Sequence, residues 1–192
     1  FWSDPYLGNY EYDIREENYR SLLNEFQKLG LKPDVFTFDA GWQNRQSFYE
    51  AKSSFGGEVG LKKLSEEFKQ NGIGLGLWVS HNGPMGICND FLRASGYAVG
   101  GGVSAAYSGD NYAVLLDDNL EKKLCEAFCR LAGEGYDCLH FKIDWDNDCA
   151  TNDQFKERFP TVNHVRQSSI DAMSRIADKM REVNPSVVVR NG

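Results

Sequence analysis

Three features that would point to large classes of protein are missing from this sequence. No apolar run approaches the roughly 20 residues that a membrane-spanning helix needs, so we expect no membrane partner. Basic residues are fewer than acidic ones, with 21 Lys and Arg residues against 28 Asp and Glu residues. The net charge of -7 argues against a nucleic-acid partner. No glycine-rich phosphate turn follows a predicted strand, which argues against a dinucleotide site.

Cysteine is also scarce, and its spacing indicates little. The five cysteines lack the paired short spacing of a zinc site: Cys88, Cys125, Cys129, Cys138 and Cys149. We expect buried structural thiols, and a disulfide bond between Cys88 and Cys149 is the weaker alternative. Neither a metal ion nor a cofactor is expected. The sequence lacks an initiator methionine and a signal-like start, so we expect it to come from a longer chain.

The sequence is rich in short apolar runs that end in polar or aromatic residues. The clearest covers residues 138–144, where an apolar strand delivers charge to one edge. Three more runs share this pattern: residues 35–38 lead into Asp39 and Trp42, residues 73–79 lead into His81, and residues 187–189 lead into Arg190. Charge at the C-terminal ends of buried parallel strands is typical of the catalytic face of a β/α barrel.

Helical periodicity fills the segments between these strands. We predict four amphipathic helices: one from about Asp13 to Gly30, one ending at Asn71–Gly72, one from Asp118 to Gly133 or Gly135, and one carrying Ile170 to Val183 before Asn184–Pro185. Repeated strand–helix units predict a parallel sheet. Residues 81–111 form the longest interruption, which we expect to be a cleft wall or a tolerated insertion.

The number of strands indicates part of a barrel. We find about five barrel strands, counting a first one near Trp2, whereas a complete eight-stranded barrel typically needs about 250 residues. We therefore predict an α/β chain that forms the N-terminal half of a (β/α)8 TIM barrel over residues 1–192. A doubly wound open sheet of five strands is the structural alternative.

Three motifs in these strands resemble a known family. They are the segments 36–43 (FTFDAGWQ), 74–78 (GLGLW) and 141–144 (FKID). In order and spacing they resemble the α-galactosidase-like glycoside hydrolases of families 36 and 27, and the resemblance covers nearly the whole chain. It implies a carbohydrate substrate and a retaining α-glycosidase that acts through a covalent glycosyl-enzyme ester.

The resemblance implies that Asp144, in the Lys-x-Asp motif, is the catalytic nucleophile. Lys142 lies two residues earlier on the same strand face, where it would keep the carboxylate ionised and bind a sugar hydroxyl. The alternative is a plain ion pair at the rim of a barrel. The family's general acid/base comes from the sixth strand, so we expect it beyond Gly192 and expect this segment alone to be inactive.

Most of the remaining site residues are expected to bind substrate. Asp39 matches the first aspartate of a family pair that accepts hydrogen bonds from sugar hydroxyls. Ala40 replaces the second aspartate, and this departure leaves the identity of the sugar open. Trp42 and Trp78 would pack against the apolar faces of sugar rings, and the alternative for each is ordinary core. His81 would bind a hydroxyl.

Two charged positions complete the expected site. Asp146 belongs to an acidic run that resembles the start of a calcium loop, but Cys149 and Phe155 do not fit the sixth and twelfth positions, so we expect Asp146 to line the cleft rim. Arg190 would bind an anionic sugar or neutralise a rim carboxylate. Two other functions stay open: a transglycosylase of the same family, and a barrel that binds carbohydrate without catalysis.

Overall fold

Strands and helices alternate along the chain, as the sequence predicts. A computed structural model describes residues 2–4, 15–81, 87–103, 112–133, 135–144 and 149–191. In chain order the elements are β1 (Trp2–Asp4), α1 (Glu16–Leu29), β2 (Val35–Phe38), α2 (Gly57–Gln70), β3 (Gly74–Val79), α3 (Asn89–Ala94), β4 (Val99–Gly102), β5 (Tyr112–Ala113), α4 (Asp118–Ala132), β6 (His140–Ile143), β7 (Ala150–Thr151), α5 (Val162–Val183) and β8 (Val188–Asn191).

The main sheet has five parallel strands in the order β1-β2-β3-β6-β8. The helices α1, α2, α4 and α5 connect successive strands of this sheet. The predicted α/β class and parallel sheet are therefore confirmed. A second, small sheet joins β5, β4 and β7 in antiparallel pairs.

Local sequence signals explain where the helices begin and end. Helix α1 buries a stripe formed by Tyr19, Leu23 and Phe26, and it ends at Gly30, whose φ of 65° is the left-handed conformation that glycine adopts most easily. Helix α4 begins after Asp117, whose carboxylate accepts a hydrogen bond from the backbone N–H of Asn119. The predicted start of the first helix near Asp13 lies outside the described residues.

The structure corrects two details of these predictions. Helix α5 extends from Val162 to Val183, and Ile176 and Met180 of its predicted apolar face are buried, whereas Ile170 is 57% exposed. The segment 81–111 is also more than a loop. It contains α3 and β4, so part of the interruption is ordered by pairing with β5 and β7.

The helices pack on one face of the sheet through aromatic side chains. In β2, Phe36 and Phe38 are fully buried against Tyr19 of α1 and Phe68 of α2, with the rings of Tyr19 and Phe38 stacked at a centroid distance of 3.9 Å. In β6, Phe141 packs against a ring of α4. Side chains alternate along a strand, so Thr37, Lys142 and their neighbours face the other side.

The cysteines contribute packing to this fold. All five are thiols in the structure, so the disulfide between Cys88 and Cys149 is not formed. Cys138 is buried in the core, and the Sγ atoms of Cys125 and Cys129 lie 4.0 Å apart on α4. Among the helices described, none is long and apolar enough to cross a membrane.

Candidate active site at the carboxyl edge of the sheet

The polar residues that follow β2, β3 and β6 meet at one edge of the sheet. Parallel strands all end on the same side, so Asp39 after β2, Ser80 after β3 and Asp144 after β6 are brought to one edge. Register adds Lys142 and Trp78, which are partners on neighbouring strands. The predicted convergence of Asp39, Lys142 and Asp144 follows from this topology.

Asp39 and Lys142 form a largely buried ion pair. The Lys142 Nζ atom donates to Asp39 Oδ2 at 2.9 Å, and the backbone N–H of Ala40 donates to Asp39 Oδ1 at 2.8 Å. The Asp39 side chain is 4% exposed and that of Lys142 is 25% exposed. A buried carboxylate is tolerated when a cation and hydrogen-bond donors compensate it, as they do here. The pair is a fixed polar unit in the floor of the site.

Asp144 is the more accessible carboxylate. Its side chain is 37% exposed, and its Oδ2 atom accepts a hydrogen bond from the Trp78 indole at 3.0 Å. The Lys142 Nζ atom lies 4.0 Å from the same oxygen, and the Asp144 backbone N–H donates to the carbonyl of Val79 at 3.0 Å. Both the backbone and the carboxylate of Asp144 are therefore held in place, while the side chain reaches solvent.

The two predicted tryptophans lie inside the protein. Trp42 is fully buried, and its Nε1–H donates to the carbonyl of Trp78 at 2.9 Å. Trp78 is 1% exposed and orients Asp144. Both indoles thus support the site from within, and in this structure neither presents a ring face to solvent. Packing of either ring on a sugar stays a prediction, and the buried alternative fits the geometry better.

His81 lies away from the group formed by Asp39, Lys142 and Asp144. It is 4% exposed and lines a cavity of about 430 Å³ together with Ile143, Cys149 and side chains of α5. Ile143 alternates with Lys142 along β6, so this cavity lies on the helix side of the sheet. Burial lowers the pKa of His81 to about 4, which keeps the imidazole neutral. A substrate contact by His81 stays a prediction.

Arg190 extends the polar face by one strand. It is the register partner of Lys142 on β8, and its side chain is exposed. Two cations therefore stand on adjacent strands at the edge that carries Asp144. The predicted residue Asp146 lies outside the described residues. Among the residues that the structure describes, no group of three or more His, Cys, Asp or Glu side chains is arranged to hold a metal ion.

Sequence reasoning missed Tyr49. Its hydroxyl donates to the carbonyl of Ser80 and accepts a hydrogen bond from the Ser80 backbone N–H at 2.8 Å. Tyr49 is fully buried with a φ of 59°, and burial raises the pKa of its hydroxyl. It holds the chain just past β3, two residues beyond Trp78. A tyrosine in a turn gives no periodic signal, so this contact could not be read from the sequence.

Comparison with solved structures finds proteins that share the fold of this chain. No protein-family model matches the sequence, and no curated protein matches it. The α-galactosidase of Lactobacillus brevis has a TM-score of 0.71 at 14% identity, over 99% of this chain and 26% of its own. A family 36 α-galactosidase of Geobacillus stearothermophilus has a TM-score of 0.69 at 13% identity, over 100% of this chain and 27% of its own.

A third solved structure is similar to the chain. The cycloalternan-forming enzyme of Listeria monocytogenes, in complex with a pentasaccharide substrate, has a TM-score of 0.63 at 12% identity, over 99% of this chain and 21% of its own. At these identities the likeness concerns the fold. The chain spans about a quarter of the length of these three enzymes. The resemblance predicted from three short motifs is confirmed at this level: the chain has the fold of one part of the family 36 α-galactosidases.

Proposed function

We propose that residues 1–192 form the N-terminal half of the catalytic (β/α)8 barrel of a retaining α-glycosidase similar to the α-galactosidases. The observation that carries the proposal is the placement of Asp144 at the carboxyl edge of the sheet, oriented by Trp78 and next to the buried Asp39–Lys142 pair. The catalytic residues of β/α barrels lie at this edge of their strands.

The strand order supports a barrel over a doubly wound sheet. The five parallel strands follow one another across the sheet in chain order, whereas a doubly wound sheet reverses direction at its switch point. The aromatic contacts of α1, α2 and α4 all lie on the same face, and the opposite face carries Thr37, Lys142 and their neighbours. Such an arrangement supports a barrel wall, which has helices outside and the site inside.

In the proposed reaction Asp144 attacks the anomeric carbon of an α-glycoside. A bond forms from a carboxylate oxygen to that carbon, the glycosidic bond breaks, and a carboxylic acid from elsewhere in the complete protein protonates the departing oxygen. Water then hydrolyses the glycosyl ester with the same group acting as base. The Trp78 hydrogen bond orients the attacking carboxylate, and the Lys142 ammonium lies 4.0 Å from the same oxygen.

The neighbouring polar residues would bind the sugar. Asp39 and Lys142 present a carboxylate and an ammonium that are already fixed, so they would bind hydroxyls with little loss of side-chain freedom. Ala40 contributes only its backbone N–H, which donates to Asp39, so the second aspartate that the family resemblance implies at this position is absent. Arg190 adds a second cation at the edge, which favours a sugar with a carboxylate or sulfate substituent as one candidate.

A panel of aryl α-glycosides tests the proposal. The complete protein that carries this chain is assayed on galactoside, N-acetylgalactosaminide, glucoside and glucuronide, beside Asp144→Asn and the control Asp153→Asn, which removes an exposed carboxylate. We expect hydrolysis of one member, a loss of several orders of magnitude in Asp144→Asn, and no change in the control. Turnover that survives Asp144→Asn would move the nucleophile elsewhere.

Two other outcomes identify the alternatives. The fold shared with the cycloalternan-forming enzyme favours a transglycosylase as the second candidate, and transfer of the glycosyl group to an added acceptor sugar in preference to water would identify it. Binding of a sugar without turnover on any member would identify a carbohydrate-binding barrel. Glucuronide as the preferred substrate would assign the anion contact to Arg190, and Arg190→Gln should then raise its KM above that for the neutral sugars.

A further inference from the structure

Three small or polar residues form a layer just before the ion pair of Asp39 and Lys142, nearer the start of the strands. Thr37 on β2, Gly76 on β3 and His140 on β6 are register partners across three adjacent strands. Residues two positions apart in a strand share a face, so Thr37 lies below Asp39 and His140 lies below Lys142. This layer therefore supports both members of the Asp39–Lys142 pair.

A hydrogen bond crosses the middle strand within this layer. Thr37 Oγ1 lies 2.7 Å from His140 Nδ1, although β2 and β6 are two strand spacings apart, roughly 10 Å. Gly76 makes the crossing possible, because a Cβ atom at this position would lie 2.3 Å from Thr37 Oγ1. Both side chains are buried. The bond thus links β2 and β6 on the polar face, two residues before the charged pair.

The imidazole of His140 is suited to this place because it is neutral. Burial, together with the charges of Arg190 and Lys142, lowers its pKa to about 4. A neutral imidazole can take part in the hydrogen bond to Thr37 without placing a third cation beside Lys142 and Arg190. The contact therefore fixes geometry while leaving the charge balance of the site to the residues above it.

We propose that Thr37 and His140 are positioning residues, whose hydrogen bond across Gly76 holds Asp39 and Lys142 at the separation that binds and orients the substrate. This inference rests on the proposed glycosidase function. The two residues act through the 2.9 Å contact between Lys142 Nζ and Asp39 Oδ2. A displacement of about 1 Å in a group that positions substrate is enough to lower turnover by about a hundredfold.

Three variants of the complete protein test the positioning role in turnover. Thr37→Val keeps the shape of the side chain and removes the hydroxyl, whereas Thr37→Ser keeps the hydroxyl. Ser65→Ala is the control, because Ser65 is a buried hydroxyl of α2 that donates to the carbonyl of Tyr136 in the helix layer. We expect kcat/KM to fall by at least about tenfold in Thr37→Val. Thr37→Ser should recover most of that loss, and the control should stay at the wild-type value.

A crystal structure of Thr37→Val provides a readout that does not depend on activity. We expect the Lys142 Nζ to Asp39 Oδ2 distance to lengthen beyond hydrogen-bond range. A distance that stays at 2.9 Å, or a Thr37→Val enzyme with wild-type kcat/KM, would overturn the positioning role. If the wild-type protein hydrolyses no glycoside but the variant still separates the pair, the proposed function fails, and only the structural part of the inference stands: the Thr37–His140 bond holds Asp39 and Lys142 together.

Discussion

The two faces of the parallel sheet are built from different residues. The helix-facing side carries Phe36 and Phe38 of β2 and Phe141 of β6, all fully buried in contact with aromatic rings of the helices. The opposite side of the same strands carries Thr37, Asp39, His140 and Lys142, which contact one another through polar atoms. Side chains alternate between the two faces along each strand, so a residue that faces the helices is followed by one that faces the candidate site.

One set of short strands therefore carries both the apolar core and the candidate site. The aromatic face is stabilised by burial of apolar area, which depends little on direction. The polar face is stabilised by a few directional hydrogen bonds and ion pairs, in which one side chain positions the next. Thr37 bonds to His140 below, Lys142 pairs with Asp39 above, and Trp78 orients Asp144. Changes on the first face should reduce stability, and changes on the second should also alter chemistry.

The largest loss of stability is expected from the aromatic face. Phe38→Ala removes a buried ring that stacks on Tyr19 and touches Phe55 and Phe68. We expect the free energy of unfolding to fall by about 4 kcal/mol, from lost burial and from the cavity left behind. Urea unfolding followed by tryptophan fluorescence measures it. Val59→Ala, at a position that is 79% exposed, is the control and should change little.

The same variant sharpens the contrast between the faces. If Phe38 serves only stability, the folded fraction of Phe38→Ala should keep its kcat/KM on the preferred glycoside at a temperature where the protein stays folded. A large loss of kcat/KM in fully folded Phe38→Ala would show that the two faces are coupled, and the separation of purposes drawn above would fail.

On the polar face, Lys142→Met should cost about 3 kcal/mol of stability as well as activity. The Asp39 carboxylate, 4% exposed, would lose the lysine that compensates its burial, and breaking a buried pair from one side leaves an uncompensated charge. The double variant Lys142→Met with Asp39→Asn removes that charge and should recover much of the stability but none of the activity. Urea unfolding and the glycoside assay measure the two effects.

An exposed ion pair provides the matched control for this prediction. Lys69 contacts Asp137 at 3.0 Å, and both side chains are about half exposed. Water already solvates these charges, so Lys69→Met should produce no measurable loss of stability. Equal losses in Lys142→Met and Lys69→Met would mean that burial of Asp39 does not govern the energetics of the site.

The convergence of Asp39, Lys142 and Asp144 could be predicted from the sequence for a simple reason. Each residue lies in or just after an apolar run, and parallel topology brings the ends of such runs to one edge. The helices were predictable for a similar reason, since their apolar periodicity is local. Gly30 shows this, because it ends α1 where the pattern ends.

Other features depend on contacts between distant segments. The burial of Trp42 depends on its hydrogen bond to the carbonyl of Trp78 and its packing near Tyr49, and no local pattern encodes either contact. The bridge from Thr37 to His140 depends on the register that places Gly76 between them, and register is set by the assembled sheet. A glycine inside a predicted strand was the only local signal of a close approach.

The smallest expected effect is a pH dependence, and one histidine on each face provides it. His140 on the polar face and His81 on the helix side both have their pKa lowered from 6.5 to about 4, chiefly by burial. The unfolded chain therefore takes up a proton first as the pH falls, so stability is complete above about pH 6.5 and is lost progressively toward pH 4. By pH 5 each histidine should lower the free energy of unfolding by about 2 kcal/mol relative to pH 7.5.

Urea unfolding of wild type, His140→Gln and His81→Gln at both pH values measures this difference. In each variant the fall in the free energy of unfolding between the two pH values should be smaller by that amount. An undiminished drop in His140→Gln would mean that the imidazole is not neutral and buried in the folded protein, and the contrast between a charge-balanced polar face and an apolar helix face would have to be redrawn.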